Sequence, residues 1–182
     1  MRKTFFVLAA IVFSNSTHAQ QDSASLDEVV ITANKYPNKT SLTGKVVTII
    51  TKEQLEKNGG KDLSQILMEQ TGVYIGGANS NFGKDKSIYL LGAAIQYTLI
   101  TIDGVPVYDA SGIGSNFDLR NLSADQIERI EIVKGSQSTL YGSDALAGVI
   151  NIITKKSFAK KIEANGLISY GSNNSFKANI EA

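Results

Sequence analysis

The sequence predicts an α+β fold, a small mixed sheet with short helices, followed by two strands of a different kind. Three observations point there. Two apolar runs, residues 127–133 and 149–154, bracket a small-residue segment holding Gly135, Gly142 and Gly148; glycines so placed ask for positive φ or close backbone approach rather than a flexible linker. Short β-branched runs recur between residues 45 and 155, separated by helix-capping motifs and Gly-rich loops, with no regular βαβ repeat. From residue 162 the pattern changes to alternation of apolar and polar residues.

The chain opens on a leader. Arg2 and Lys3 precede an apolar stretch over residues 5–13, and Thr17, His18 and Ala19 offer a cleavage site before Gln20. This is the pattern of a secretory signal peptide, about half the roughly 20 residues that a membrane-spanning helix requires. Without residues 1–19, the 18 basic residues become 16 against 17 acidic ones, a net charge of −1. That balance gives no pull toward a polyanion, so no nucleic-acid partner is expected. His18 is the only histidine and there is no cysteine. The mature chain is therefore expected to carry no disulfide, no thiol or imidazole catalysis, and no His- or Cys-ligated zinc.

Residues 20–26 are polar, and residues 27–33 then form a β-branched, extended run. Residues 34–44, polar and carrying Pro37, read as a linker. A strand is expected over 45–51. Thr51 and Gln54 fit a capping box that opens a short helix ending near Gly59 and Gly60. A second helix over 62–70 places Leu63, Ile66 and Leu67 on one face, with Gly72 as its stop. Strands follow at 73–75, 88–91, 99–102 and 105–107, with Asp103 and Gly104 forming a turn. Ser123 and Gln126 match a second capping box before the strand at 127.

In the last stretch Ile162, Ala164, Gly166, Ile168 and Tyr170 alternate with polar residues, Leu167 being the exception. Phe176, Ala178, Ile180 and Ala182 alternate with Lys177, Asn179 and Glu181 after a turn at 171–174. Taken alone, this fits an amphipathic hairpin on a soluble sheet or the opening strands of a transmembrane β-barrel.

The order IERIE, hydrophobic-basic-Gly, YGSDA and GVINIITK within residues 127–155 closely resembles the end of the plug domain of TonB-dependent outer-membrane receptors. The resemblance extends over residues 27–155. It implies an α+β plug domain followed by the first strands of an incomplete antiparallel transmembrane β-barrel. The implied organisation is a signal peptide (1–19), a TonB box and linker (20–44), a plug (45–156) and the first barrel strands (157–182). Two strands cannot close a barrel, so an N-terminal piece of a longer receptor is expected, in the outer membrane of a Gram-negative bacterium with its plug facing the periplasm.

The resemblance also suggests sites. Asp27, Glu28, Val29, Val30, Ile31, Thr32 and Ala33 resemble the TonB box, an extended segment that the coupling protein TonB can take up as an added strand. The stretch before it is too short for a signalling domain or for a carboxypeptidase-like extension. Asn79, Ser80, Asn81 and Phe82 fall in an apical loop. Ser111, Ser115, Asn116 and Phe117 fall in the loop that meets ligand in vitamin B12 receptors. Both are implied ligand contacts. The family usually has arginine at two plug positions, where this chain has Leu91 and Lys134. Lys134 is thus the remaining candidate for a plug–barrel contact, and it lacks the planar bidentate fork of arginine.

The implied function is import of a scarce nutrient, cobalamin or an iron siderophore, with TonB, the ligand and outer-membrane lipid as partners and no cofactor. Haem stays open as a third ligand: it often requires axial His or Cys ligands, which residues 20–182 lack but the rest of the barrel could supply. A freestanding periplasmic plug-like binding or adaptor module is the alternative; it predicts no alternating strands beyond Lys156. An exported hydrolase would have to rest on Asp103 and Asp144, and no second motif positions either. The loop at 77–85 resembles a phosphate-binding loop only superficially, because Ala78 and Asp85 stand where glycine and a hydroxyl residue are needed.

Overall fold

The computed structural model describes residues 29–81, 83–111, 117–156, 165–171 and 175–181. Asp27 and Glu28 of the box, Phe82, Ser115 and Asn116 of the loops, and the leader lie outside them.

The centre is a five-stranded sheet. Its strands are β3 (Val46–Ile50), β6 (Thr98–Ile102), β7 (Val105–Pro106), β8 (Ile127–Lys134) and β9 (Gly148–Thr154), in the order β3-β8-β9-β6-β7. Only β6 and β9 run parallel; the other pairings are antiparallel. Among the described residues three further pairs complete the strands: β1 (Val29–Val30) with β2 (Asn38–Lys39), β4 (Val73–Gly76) with β5 (Ser87–Leu90), and β10 (Asn165–Gly171) with β11 (Ser175–Glu181). The helices are α1 (Lys52–Lys57), α2 (Leu63–Met68) and α3 (Ser138–Tyr141).

Strand pairing sorts the sheet's residues into rows, since side chains alternate between faces. On one face, Ile50, Ile130, Ile152 and Ile102 form one row, and Thr48, Ile132, Ile150 and Ile100 form the next. The main core lies over these rows, built with Leu55 of α1, Leu63, Ile66 and Leu67 of α2, and Val73, Ile75, Ile88 and Leu90 of the β4–β5 hairpin. On the opposite face, Val47, Val133, Val149 and Leu99 form an apolar row; the row beside it is Ile49, Glu131, Asn151 and Thr101. A carboxylate and an amide thus sit in the middle of a buried sheet face, and the fold must satisfy both.

Both short helices start on reciprocal caps. Thr51 Oγ1 accepts from the Gln54 N–H while Gln54 Oε1 accepts from the Thr51 N–H; Asp62 and Gln65 repeat the arrangement. The box expected at Ser123 and Gln126 does not form, whereas the one at Asp62 was not expected. Ser123 leads into a single 3₁₀ turn, Ala124–Gln126, with no side-chain cap, and its hydroxyl turns to Asp125 instead. The Gln126 N–H, which a capping box would give to the Ser123 side chain, donates to the Ser123 carbonyl in that turn.

Gly148 explains the spacing that drew attention in the sequence. Its φ is 148°, and a Cβ there would lie 2.2 Å from the Val133 carbonyl oxygen and 2.6 Å from Leu90 Cδ2. The β4–β5 hairpin and β8 close onto it, and a side chain would force them apart.

Residues 29–44 differ from expectation. Among the described residues of the extended run, Val29 and Val30 alone are strand; the chain then turns, with Lys35 at φ 63°. The supposed linker supplies β2 and a 3₁₀ turn, Thr40–Leu42. The reason is the polar row: Glu131 takes the Ile31 and Thr32 N–H groups and Thr32 is drawn inward, while the Ile31 side chain stays exposed.

Candidate functional site

Thr32 lies over the row of Glu131 and Asn151, and the three residues are almost wholly buried. Glu131 Oε2 accepts three hydrogen bonds: from the Ile31 N–H at 3.0 Å, the Thr32 N–H at 2.9 Å and the Thr32 hydroxyl at 2.6 Å. Its other oxygen accepts from Arg129 Nε, and Arg129 Nη2 lies 3.0 Å from the same atom. Asn151 extends the network. Its Nδ2 donates to Thr32 Oγ1 at 3.0 Å, while its Oδ1 accepts from the Thr101 hydroxyl at 2.7 Å and the Gly104 N–H at 3.0 Å. A buried carboxylate is tolerable only with such compensation.

The same segment is held from its carbonyl side. Tyr141 donates to the Thr32 carbonyl at 2.9 Å, and Lys45 Nζ donates both to the Ala33 carbonyl and to Gln137 Oε1. Lys35 stacks over the Tyr141 ring, 4.8 Å from its centroid, within cation–π range. Burial, and then the nearby Glu131 charge, push the Tyr141 phenol above its usual pKa, so it is held as a donor. Val30 and Ala33 pack with Val133 beneath, while Val29 and Ile31 stay exposed. A cleft of about 350 Å³ lined by Ile31, Lys35, Gly104, Tyr141 and Asn151 opens beside the segment.

Sequence reading marked residues 29–33 but missed what holds them. Arg129 and Glu131 lie within IERIE, Tyr141 within YGSDA and Asn151 within GVINIITK, but those motifs assigned none of them a role toward this segment, and Lys45 carried no motif. The available signal was polarity out of place: Asn151 interrupts the apolar run of β9, and Glu131 stands between Ile130 and Ile132.

The two candidate ligand loops converge on Arg120. Its Nη1 donates to the Gly83 carbonyl, its Nη2 to Asp85, and its Nε to Asp118, so one guanidinium ties loop 77–86 to the end of the second loop. Burial pushes the Asp118 carboxyl up, but the Arg120 guanidinium and backbone N–H outweigh it and hold the group below the usual carboxylate range. Asn79, Ser80, Asn81 and Ser111 are exposed. Ser80 donates back to the Gly77 carbonyl and Ser111 to Asp109, so both hydroxyls already shape their turns. Phe117 is half-buried and packs on the main core.

Lys134 ends β8, half-buried and in no ion pair among the described residues. Leu91 is exposed at φ 54°. Neither hydrolase candidate stands free. Asp103 accepts from the Thr154 N–H and hydroxyl, bonds across to β9 rather than within its own turn, and Asp144 accepts from Tyr108 and Ser143.

The family model for the TonB-dependent Receptor Plug Domain matches residues 39–149. The chain is 31% identical over 156 residues to the vitamin B12 transporter BtuB of Photobacterium profundum, covering 85% of this chain and 25% of that one. It is 34% identical over 149 residues to BtuB of Vibrio cholerae serotype O1, covering 82% and 23%. The chain therefore spans about a quarter of the length of these curated relatives. Among solved structures, a point mutant of the ferric enterobactin receptor PfeA of Pseudomonas aeruginosa, in complex with enterobactin, superposes with a TM-score of 0.52 at 35% identity, over 68% of this chain and 19% of that one. The alcaligin outer-membrane receptor FauA of Bordetella pertussis shares the fold, with a TM-score of 0.67 at 23% identity over 84% of this chain and 25% of that one.

Proposed function

This chain belongs to the TonB-dependent receptor plug-domain family, and on that premise we propose that it is the gating N-terminal part of an outer-membrane importer for cobalamin or an iron siderophore. Residues 1–19 are its signal peptide, residues 20–44 the TonB box and its linker, residues 45–156 the plug, and residues 157–182 the first barrel strands. Residues 27–33 are the segment that TonB grips from the periplasm. Asn79, Ser80, Asn81 and Phe82, with Ser111, Ser115, Asn116 and Phe117, meet ligand arriving from outside, and Lys134 meets the barrel wall. The work is transport rather than catalysis: ligand binding shifts the N-terminal segment, TonB captures it, and pulling opens a path. The relatives named above transport vitamin B12 or bind enterobactin, which supports both ligand classes equally.

The observation that carries the membrane part is the β10–β11 hairpin. Ile168 faces Ala178 and Tyr170 faces Phe176 across the pair, and Ile168, Tyr170 and Phe176 are 76%, 73% and 66% exposed. An apolar strand face with this alternation supports lipid contact, as in the wall of a barrel. It weighs against a freestanding periplasmic module, which has no use for such a surface.

Val30→Pro in the full-length receptor tests the grip. Proline removes the Val30 N–H and restricts φ, so ligand binding should persist while energised uptake is lost. Uptake at the wild-type rate would contradict the assignment. Substituting Asn79, Ser80, Asn81 and Ser111 together should weaken ligand affinity; an unaltered dissociation constant would remove the loops from the site.

A further inference from the structure

Loop 77–86 has little apolar anchorage. Among its described residues only Ala78 and Lys86 are buried, and Lys86 Nζ turns back to the Gly77 carbonyl of the same loop. A cavity of about 240 Å³, lined by Leu63 and Ser64 of α2 and by Lys86, Leu119 and Arg120, lies where packing on α2 would otherwise hold the loop's base. What fastens the loop to the second one is polar. Asp118 Oδ1 accepts from the Arg120 N–H at 3.0 Å, and its Oδ2 accepts from Arg120 Nε at 2.6 Å. The Asp118 side chain is only 13% exposed, so this pair fixes the direction of the guanidinium. The outer nitrogens then reach across, Nη1 to the Gly83 carbonyl and Nη2 to Asp85, each at 2.5 Å. Burial raises the Asp118 pKa, and the Lys86 N–H joins Arg120 in bringing it below the usual range, so the loops meet a second time.

We propose that Arg120 is a positioning residue for ligand, which clamps loop 77–86 to the second loop so that the two present one pre-formed surface. The proposal rests on the reading of both loops as ligand contacts. Arg120 acts through the loops rather than on the ligand, since its Nε, Nη1 and Nη2 all have protein acceptors. An unclamped loop has to order as ligand arrives, and the cost of that ordering is subtracted from affinity. Arginine suits the task because its planar fork holds three acceptors in fixed directions at once, which a lysine ammonium on a flexible stem does not. Asp85, with its side chain 86% exposed, is the arm of the clamp that salt reaches most easily.

Residues 1–182 hold no cysteine, so Asn81→Cys places a spin label on the loop of a full-length receptor with no other cysteine. The mobile fraction of the label is measured without ligand, in outer-membrane vesicles. Dissociation constants for cyanocobalamin and for ferric enterobactin are measured separately, on unlabelled receptor. Arg120→Gln should raise the mobile-to-docked ratio and the dissociation constant of the probe that binds, each about threefold to tenfold, the factor that one hydrogen bond to a charged group carries. Asp85→Asn should act in the same direction. The double variant should bind no more weakly than Arg120→Gln alone, since both remove one clamp. Arg120→Lys should not restore wild-type values. High salt should free the wild-type label and leave that of Arg120→Gln unchanged, a response that a general loss of folding does not give. An unchanged label in both Arg120→Gln and Asp85→Asn overturns the clamp. A freed label with an unaltered dissociation constant overturns the positioning role while the loop reading stands, provided that substituting Asn79, Ser80, Asn81 and Ser111 together still weakens binding. If that substitution also leaves the constant unaltered, the reading of the loops as ligand contacts fails, and the positioning role falls with it.

Discussion

The two faces of the central sheet solve opposite problems. One carries rows of isoleucine under α1, α2 and the β4–β5 hairpin, and it is dry. The other carries Glu131, Asn151 and Thr101 in one row, and a short N-terminal segment covers them through hydrogen bonds. Apolar packing is non-directional and loses stability when any part is removed. A polar network is directional, and its partners can be exchanged for water. The dry face therefore suits a body that stays folded, and the polar face suits a segment that comes away, as the proposed function requires.

The contrast can be broken by substitution on each side. Ile150→Ala on the dry face should cost about 2–5 kcal/mol, read as faster hydrogen exchange throughout β8 and β9 of the full-length receptor; an effect confined to residues 29–33 would erase the distinction. Asn151→Ala, one residue along β9 and on the other face, should cost about 1–3 kcal/mol by leaving buried donors unpaired. Its exchange should quicken first at residues 31 and 32. Tyr141→Phe removes one bond to the Thr32 carbonyl and should cost about 0.5–1.5 kcal/mol, again felt at the segment alone.

The Tyr141 phenol also predicts a pH response. Its pKa in the folded state is raised by burial and by Glu131, so its contribution is complete below the ordinary tyrosine value of about 10 and is lost as pH rises through the raised one. The segment should loosen at alkaline pH, and Tyr141→Phe should abolish that step. Arg120→Ala is expected to have the smallest effect on stability, because exposed ion pairs are weak. It should loosen the 77–86 loop without altering exchange at residues 31 and 32.

Most of the dry face was legible before the structure. Alternating and apolar runs marked its strands, and Thr51 with Gln54 marked the start of α1. Gly148 stood out by spacing, and its packing against Val133 and Leu90 gives the reason. The polar face was half legible. Residues 29–33 were recognisable by composition and position, yet they were expected to be extended throughout. What bends them is a pairing that periodicity cannot reveal: only the register of β8 against β9 and of β9 against β6 brings Glu131, Asn151 and Thr101 into one row. The capping match at Ser123 failed for a local reason, since the helix it should open is a single turn. Arg120 was equally invisible, because it joins two loops distant in sequence.

Amide hydrogen exchange on the full-length receptor, with and without the periplasmic domain of TonB, separates the two faces in one experiment. The Ile31 and Thr32 amides should be protected in the receptor alone, lose their bonds to Glu131 and regain protection in a new ladder when the TonB domain binds, while β8 and β9 stay unchanged. Residues 29–33 that exchange identically in both states, or protection lost throughout β8 and β9, would contradict a folded plug that surrenders only its N-terminal segment.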